Sequence, residues 1–183
     1  MEHRDHVALL QPAGLFPGGI WADLGAGSGS FTLALRELTG TEAEIYAVDR
    51  DKPRLGELER AWRTRFGEPD HLHLLTSDFT CSLPVPPLDG VLMANSLHFF
   101  KEKISLLQHV GALLKPGGVL LVVEYNVDVG NVWVPYPFSF EKFKVLSTEA
   151  GFGVARLLAT RPSPFLRGFY SAEVRNAEEK TRE

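Results

Sequence analysis

The sequence predicts an α/β fold, a single doubly wound and mainly parallel sheet with helices on both faces. Three observations carry this. From residue 20 onward, short apolar runs alternate with segments of helical spacing. The runs are apolar on both faces, Val119 to Val123 most plainly, as strands covered on two sides require. The first run ends in a glycine-rich turn that opens directly into a helical segment.

Taken in order, Ile20 to Leu24 reads as a buried strand. Phe31 to Leu38 carries apolar residues at helical spacing. Glu44 to Val48 is a second strand, and Pro53 to Phe66 a charged amphipathic helix with proline in its first turn. Leu72 to Leu75 is a short third strand, and Gly90 to Ala94 a fourth. A helix over about Glu102 to Leu114 is stopped by Lys115-Pro116-Gly117-Gly118, read as a turn without chemistry. Val119 to Tyr125 is a fifth strand, Asn126 to Ser139 a loop, and Phe140 to Ala150 a helix. Val154 to Thr160 and Phe169 to Arg175 are close enough to form an antiparallel edge pair. Residues 1–176 are expected to form one domain, with a short N-terminal segment over 1–19 and a polar tail over 177–183.

Composition narrows the function. The charge sum is −4, which leaves no domain-wide basic field for nucleic acid or an anionic membrane. A single cysteine, Cys81, excludes an internal disulfide and a multi-cysteine zinc site, and suits a reducing compartment. No stretch is long and apolar enough to span a bilayer, and the N-terminus lacks the pattern of a signal peptide. A cytoplasmic protein without a metal or membrane partner is expected.

In open α/β sheets ligands gather beyond the carboxyl ends of the strands. The first strand ends in Asp23-Leu24-Gly25-Ala26-Gly27-Ser28-Gly29-Ser30. The glycines permit a tight turn and close backbone approach to a ligand. They match neither the dinucleotide pattern G-x-G-x-x-G nor a phosphate loop ending in Lys-Ser/Thr. Asp23 would repel a pyrophosphate but suits an ammonium group; it could instead cap the following helix. The second strand ends in Asp49-Arg50-Asp51, about 20 residues on, where a carboxylate can accept from ribose hydroxyls. Ser77-Asp78-Phe79 follows the third strand, offering an acceptor for an exocyclic amine and a ring to pack on a base. These ends describe an adenosine carrying a cationic amino-acid tail.

On these motifs the chain resembles the class I S-adenosylmethionine-dependent methyltransferases. The matches run in order from about residue 20 to 125. They take in the glycine motif, Asp49, Asp78 with Phe79, Asp89 to His98 beside the fourth strand, and Leu113 to Glu124. The resemblance implies a seven-stranded sheet of order 3-2-1-4-5-7-6 with the seventh strand antiparallel. It implies S-adenosyl-L-methionine as cofactor, held by Asp23, Gly25, Ala26, Gly27, Gly29, Asp49, Arg50, Asp78, Phe79, Asn95, Ser96 and Leu97. It also directs the reactive methyl toward Asn95 to His98.

Methyl transfer to a small-molecule acceptor is the expected activity, and binding of the cofactor without transfer is the alternative. The cofactor carries the activated group, so such an enzyme needs alignment more than a conspicuous catalytic side chain. His98 either takes a proton from the acceptor, or packs against the cofactor or hydrogen-bonds a backbone carbonyl. Glu124 and Tyr125 are candidates for acceptor hydrogen bonds. The aromatic loop offers Trp133, Tyr136 and Phe138 as walls of an acceptor pocket, or else as cover for the sheet edge. His3 and His6 are read as lying on a solvated helix, with closure of the cofactor site as the other reading. With only about 19 residues before the first strand, either this loop or a second subunit, as in a homodimer, is expected to close the site.

Overall fold

The computed structural model describes residues 1–177, so all but the first residue of the expected polar tail lies outside the described residues. The chain begins with helix α1 (His3–Leu10) and then alternates through β1 (Ile20–Leu24), α2 (Ser30–Thr39), β2 (Glu44–Asp49), α3 (Lys52–Phe66) and β3 (Leu72–Thr76). The second half runs β4 (Leu88–Ala94), α4 (Lys103–Leu113), β5 (Leu114–Tyr125), α5 (Phe140–Glu149), β6 (Arg156–Pro162) and β7 (Gly168–Arg175). The strands form one sheet of order β3-β2-β1-β4-β5-β7-β6, with β7 antiparallel to both neighbours. This is the topology the resemblance implied.

Alternate residues of each strand feed two cores, one per face of the sheet. Trp21, Ile45, Leu92 and Leu121 meet Leu35 of α2 and Leu55, Leu58 and Trp62 of α3 on one face. Ala22, Val91, Met93, Leu120 and Val122 meet Leu106, Leu107 and Val110 of α4 and Phe143 of α5 on the other. Local chemistry sets the helix starts. The Asp51 carboxylate accepts from Arg54 N at 3.1 Å and Pro53 occupies the first turn of α3. Ser139 Oγ caps α5 by accepting from Lys142 N.

Two regions differ from the sequence reading. β5 starts at Leu114, not Val119, because Leu114 pairs with Leu88 across a bulge that absorbs the Pro-Gly-Gly stretch. There Lys115 Nζ reaches Asp89 Oδ1 at 2.8 Å, while Asp89 Oδ2 accepts from Ile20 N. The N-terminal helix, in turn, is docked and not solvated. Leu9 and Leu10 are buried, and His6 is only 8% exposed. Asp5 pairs with Arg161 of β6 at 2.7 Å, and Ser171 Oγ of β7 donates to Leu9 O. Burying the apolar stripe at Leu9 and Leu10 is what draws α1 onto the sheet. No helix among the described residues is long and apolar enough to cross a membrane.

Gly90 shows how tightly β1 and β4 pack. A Cβ there would lie 2.1 Å from the Trp21 ring. Gly90→Ala is expected to cost about 1–3 kcal/mol through overpacking. A lowered urea midpoint with an unchanged m-value would report it.

Candidate active site

The site grows from the turn that leaves β1. Gly25 has φ 87° and Gly27 φ 55°, conformations that L side chains resist. At Gly25 a Cβ would meet Ser96 Cβ at 2.7 Å, so glycine also permits the close approach of the segment after β4. Gly25 N and Ala26 N donate to Val48 O, pinning the turn to β2. Gly27 N donates to Asp49 Oδ2 at 2.8 Å, while Asp49 Oδ1 accepts from Asp51 N. The second acidic strand end is thereby drawn against the glycine turn.

Two cavities of about 260 Å³ each open on either side of this turn. They share Gly25, Gly27, Arg54 and Asn95. One is bounded by Asp49, Arg50, Phe79, Ser96 and Phe100; the other by Asp23, Ala26, Phe31 and His6. Together they suit a small molecule lying across the glycines, in the size range of ordinary ligand sites. The buried polar atoms Asn95 Oδ1 and Ser96 Oγ have no hydrogen-bond partner among the described residues. Asn95 also holds φ 54°, a strained conformation for a residue other than glycine.

Asp23 is the most perturbed acid of the site. It is 1% exposed and accepts from Thr32 Oγ1 at 2.6 Å. Burial pushes its carboxyl up to about 7, against the opposing effect of the Thr32 hydrogen bond and with a smaller upward push from Asp49. Among the described residues no cation pairs with it.

Behind Asn95 the chain is fixed by Glu124, near the end of β5. Its Oε1 accepts from Leu97 N at 2.9 Å and His98 N at 3.2 Å, and its Oε2 meets His98 Nδ1 at 2.6 Å. The pair is sealed, with side chains 4% and 0% exposed. Here the structure corrects the sequence reading. Glu124 is buried among these bonds, and neither it nor His98 lines either of the two cavities.

The aromatic loop divides in the same way. Phe138 is fully buried against Phe143 and Tyr170, with Lys103 Nζ 5.0 Å from its ring, so it belongs to the core and not to a pocket wall. Trp133 is 76% exposed and Tyr136 44%. Tyr136 N donates to His98 O, which lays the loop over the outside of the 97–99 turn.

Comparison with known proteins follows this geometry. Residues 22–120, just over half the chain, match the profile of a family described as "methyltransferase domain". The chain belongs to this methyltransferase family. A ubiquinone/menaquinone biosynthesis C-methyltransferase, UbiE, from Burkholderia mallei is 30% identical over 152 residues, 79% of this chain. The chain spans only 58% of that relative's length. Among solved structures, a SAM dependent methyltransferase from Aquifex aeolicus superposes with a TM-score of 0.73 at 18% identity, covering 94% of this chain and 90% of its own. Magnesium protoporphyrin IX methyltransferase (ChlM) from Synechocystis, solved with bound SAM, gives 0.70 at 18% identity, covering 96% and 78%. These likenesses bear out the fold.

Within this methyltransferase domain, Gly25, Gly27, Asp49, Arg50, Phe79, Asn95 and Ser96 converge on the first cavity, and Asp23 and Ala26 on the second. Gly29 does not line either; its φ of 88° starts α2, and a Cβ there would strike Leu58 at 2.1 Å. Asp78 turns aside, accepting from Thr80 N and Oγ1 and pairing with Arg50. Leu97 is a core residue, and only its N–H takes part, toward Glu124. Sequence reasoning missed Phe100, Arg54 and Ser30. It also missed a chamber of about 470 Å³ beside the second cavity, lined by His6, Tyr125 and Phe169 and by Ser163 and Pro164 of the β6–β7 turn. The Arg161-Pro162-Ser163-Pro164-Phe165 run was the available signal, since a hairpin entering β7 must turn at the ligand end of the sheet.

The raised Asp23 carboxyl makes a pH prediction. An acid whose folded pKa lies above its unfolded value favours folding least when ionised. Its penalty therefore grows as pH rises from about 4 and is complete above about 7. Asp23→Asn is expected to match the parent protein near pH 4 and to exceed it in stability at pH 8, by an amount of order a few kcal/mol. Urea midpoints of the ligand-free proteins at both pH values would test this.

Proposed function

We propose that this domain binds S-adenosylmethionine across the Gly25–Gly27 turn and transfers its methyl group to a small-molecule acceptor. The observation that carries the reading is the pair of adjoining cavities, with an unpaired buried carboxylate, Asp23, in one and the Asp49 carboxylate in the other. The residues present fit that cofactor. Among the described residues Asp23 has no cation partner, and the amino group of the cofactor's tail is a cation. Asp49 is placed for ribose hydroxyls, and Phe79 with its edge-on neighbour Phe100 offers an apolar wall to the base. Asn95 Oδ1 and Ser96 Oγ, buried without partners, supply hydrogen-bonding groups at the junction of the two cavities and beside the first. When bound, the cofactor supplies an activated methyl on a sulfonium centre.

The chain's own residues then have positioning work. The glycine turn brings backbone against the ligand, and the Glu124 bonds to Leu97 N and His98 N hold the segment that carries Asn95 and Ser96. Family membership supports methyl transfer as the chemistry, and the UbiE relative supports a small-molecule acceptor. A net charge of −4 weighs against nucleic acid as acceptor. A cytoplasmic setting belongs to the proposal, since the free, exposed Cys81 suits a reducing compartment.

Calorimetric titration with S-adenosylhomocysteine tests the reading directly. Saturable binding is expected, and Asp49→Ala is expected to weaken it by about 1–3 kcal/mol as buried hydrogen bonds are lost. Absence of binding by the parent protein would overturn the proposal. Label passing from tritiated S-adenosylmethionine to a metabolite extract would separate transfer from binding alone.

A further inference from the structure

Three cavities meet at one place. His6, Ser30 and Asn95 line both the cavity that holds Asp23 and the larger chamber beside it. That chamber is walled by Tyr125, Phe169 and Pro162, at the end of β5 and around the β6–β7 turn. Tyr125 and Phe169 pack with ring centroids 4.3 Å apart, and Phe165 stands edge-on to Tyr125 at 5.5 Å. The chamber is thus lined by the aromatic residues Tyr125 and Phe169 and by the polar residues His6, Ser30, Asn95 and Ser163, and it adjoins the cavity at the glycine turn through His6, Ser30 and Asn95. A molecule in the chamber and a cofactor across the glycines would meet at His6.

His6 is built into this position. The Asp5–Arg161 pair and the Ser171–Leu9 hydrogen bond clamp α1 to β6 and β7. Phe31 of α2 lies edge-on to the imidazole at 4.6 Å. The residue is 8% exposed, and its buried Nδ1 has no partner among the described residues. His98 is the opposite case: its Nδ1 is taken by Glu124, and it lines none of these three cavities. We propose that the acceptor is an aromatic small molecule bearing a weakly acidic hydroxyl, that it binds in this chamber, and that His6 takes the hydroxyl proton. This deepens the methyl-transfer reading and rests on it. In the step, the O–H bond breaks and its electron pair stays on the acceptor oxygen, which becomes the nucleophile. The lone pair of an imidazole nitrogen binds the proton, giving an imidazolium.

The charges around His6 support a neutral imidazole at rest. Burial holds it below the ordinary histidine value, the terminal amino group, His3 and Arg161 add to this, and Asp5 opposes it. Asp23 of β1 lines the same cavity. A neutral ring is the form that can accept a proton.

The test uses the full chain in three arms. Calorimetry with S-adenosylhomocysteine reads the cofactor assignment by itself; no binding overturns that reading and this proposal with it. Diethyl pyrocarbonate acylates neutral, accessible imidazoles, and peptide mass spectrometry then locates them without any acceptor. His6 is expected to be modified faster than His98 and to be protected by S-adenosylhomocysteine. Cofactor binding with His6 no more reactive than His98 overturns the present proposal alone. The third arm follows labelled methyl transfer to two phenols, 4-methylphenol and the readily ionised 4-nitrophenol, at pH 7.5. His6→Gln is expected to lose on the order of 100-fold with 4-methylphenol and about threefold or less with 4-nitrophenol, which needs no base. The parent protein's rate with 4-methylphenol should fall as the medium is acidified below pH 6.5, and this limb should vanish in the variant. Equal losses on both phenols overturn the base assignment, and transfer to neither overturns the acceptor class.

Discussion

The crevice on which this molecule depends exists because the connections leaving β1 and β4 pack on opposite faces of the sheet. α2 and α3 cover the face that carries Trp21 and Ile45, while α4 and α5 cover the face that carries Ala22 and Val91. The two neighbouring strands therefore part company at their carboxyl ends, and the backbone around Gly25 and the segment around Asn95 face one another across the gap. The gap is narrow enough that a side chain at Gly25 would collide with Ser96. Asp23 hangs from one rim, and Asn95 and Ser96 from the other.

Two carboxylates on these rims have opposite fates. Glu124 is fully buried, but it is surrounded by donors from Leu97 and His98, so its burial stiffens the rim that carries Asn95. Asp23 is almost as deeply buried, and among the described residues only the Thr32 hydroxyl donates to it. Its carboxyl is consequently pushed up to about 7. A buried acid ringed by donors is a structural tie; one with a single hydroxyl donor and a raised pKa beside a cavity marks where a cation is wanted. The contrast separates framework from binding surface without reference to any relative.

Much of this was legible in the chain. The order of strands and helices follows from the apolar spacing; the glycine turn, Asp49 and Phe79 stood out by their positions at or just beyond strand ends, and Asn95 came through the family resemblance. The errors share one cause, which is that side-chain direction at the ends of elements cannot be read from spacing. Asp78 and Phe79 are adjacent, yet Phe79 lines the cavity while Asp78 caps its own turn through Thr80. Phe138 and Trp133 share a loop, yet one is core and the other solvent-facing. His98 drew attention by its place after β4, and only the partner 26 residues away explains its confinement.

Sequence alone determined the alternation, the order of the chemistry-bearing turns and the kinship with methyltransferases, because these depend on local periodicity and short motifs. Tertiary structure alone decided which groups share a cavity. It carried α1 back across β6 and β7 through Asp5–Arg161 and Ser171–Leu9, contacts separated by more than 150 residues, and so set His6 between the glycine turn and the aromatic chamber. Periodicity could mark α1 as a helix, but the surface on which it docks joins α2 to β6 and β7, elements far apart in the chain that only the folded sheet brings together.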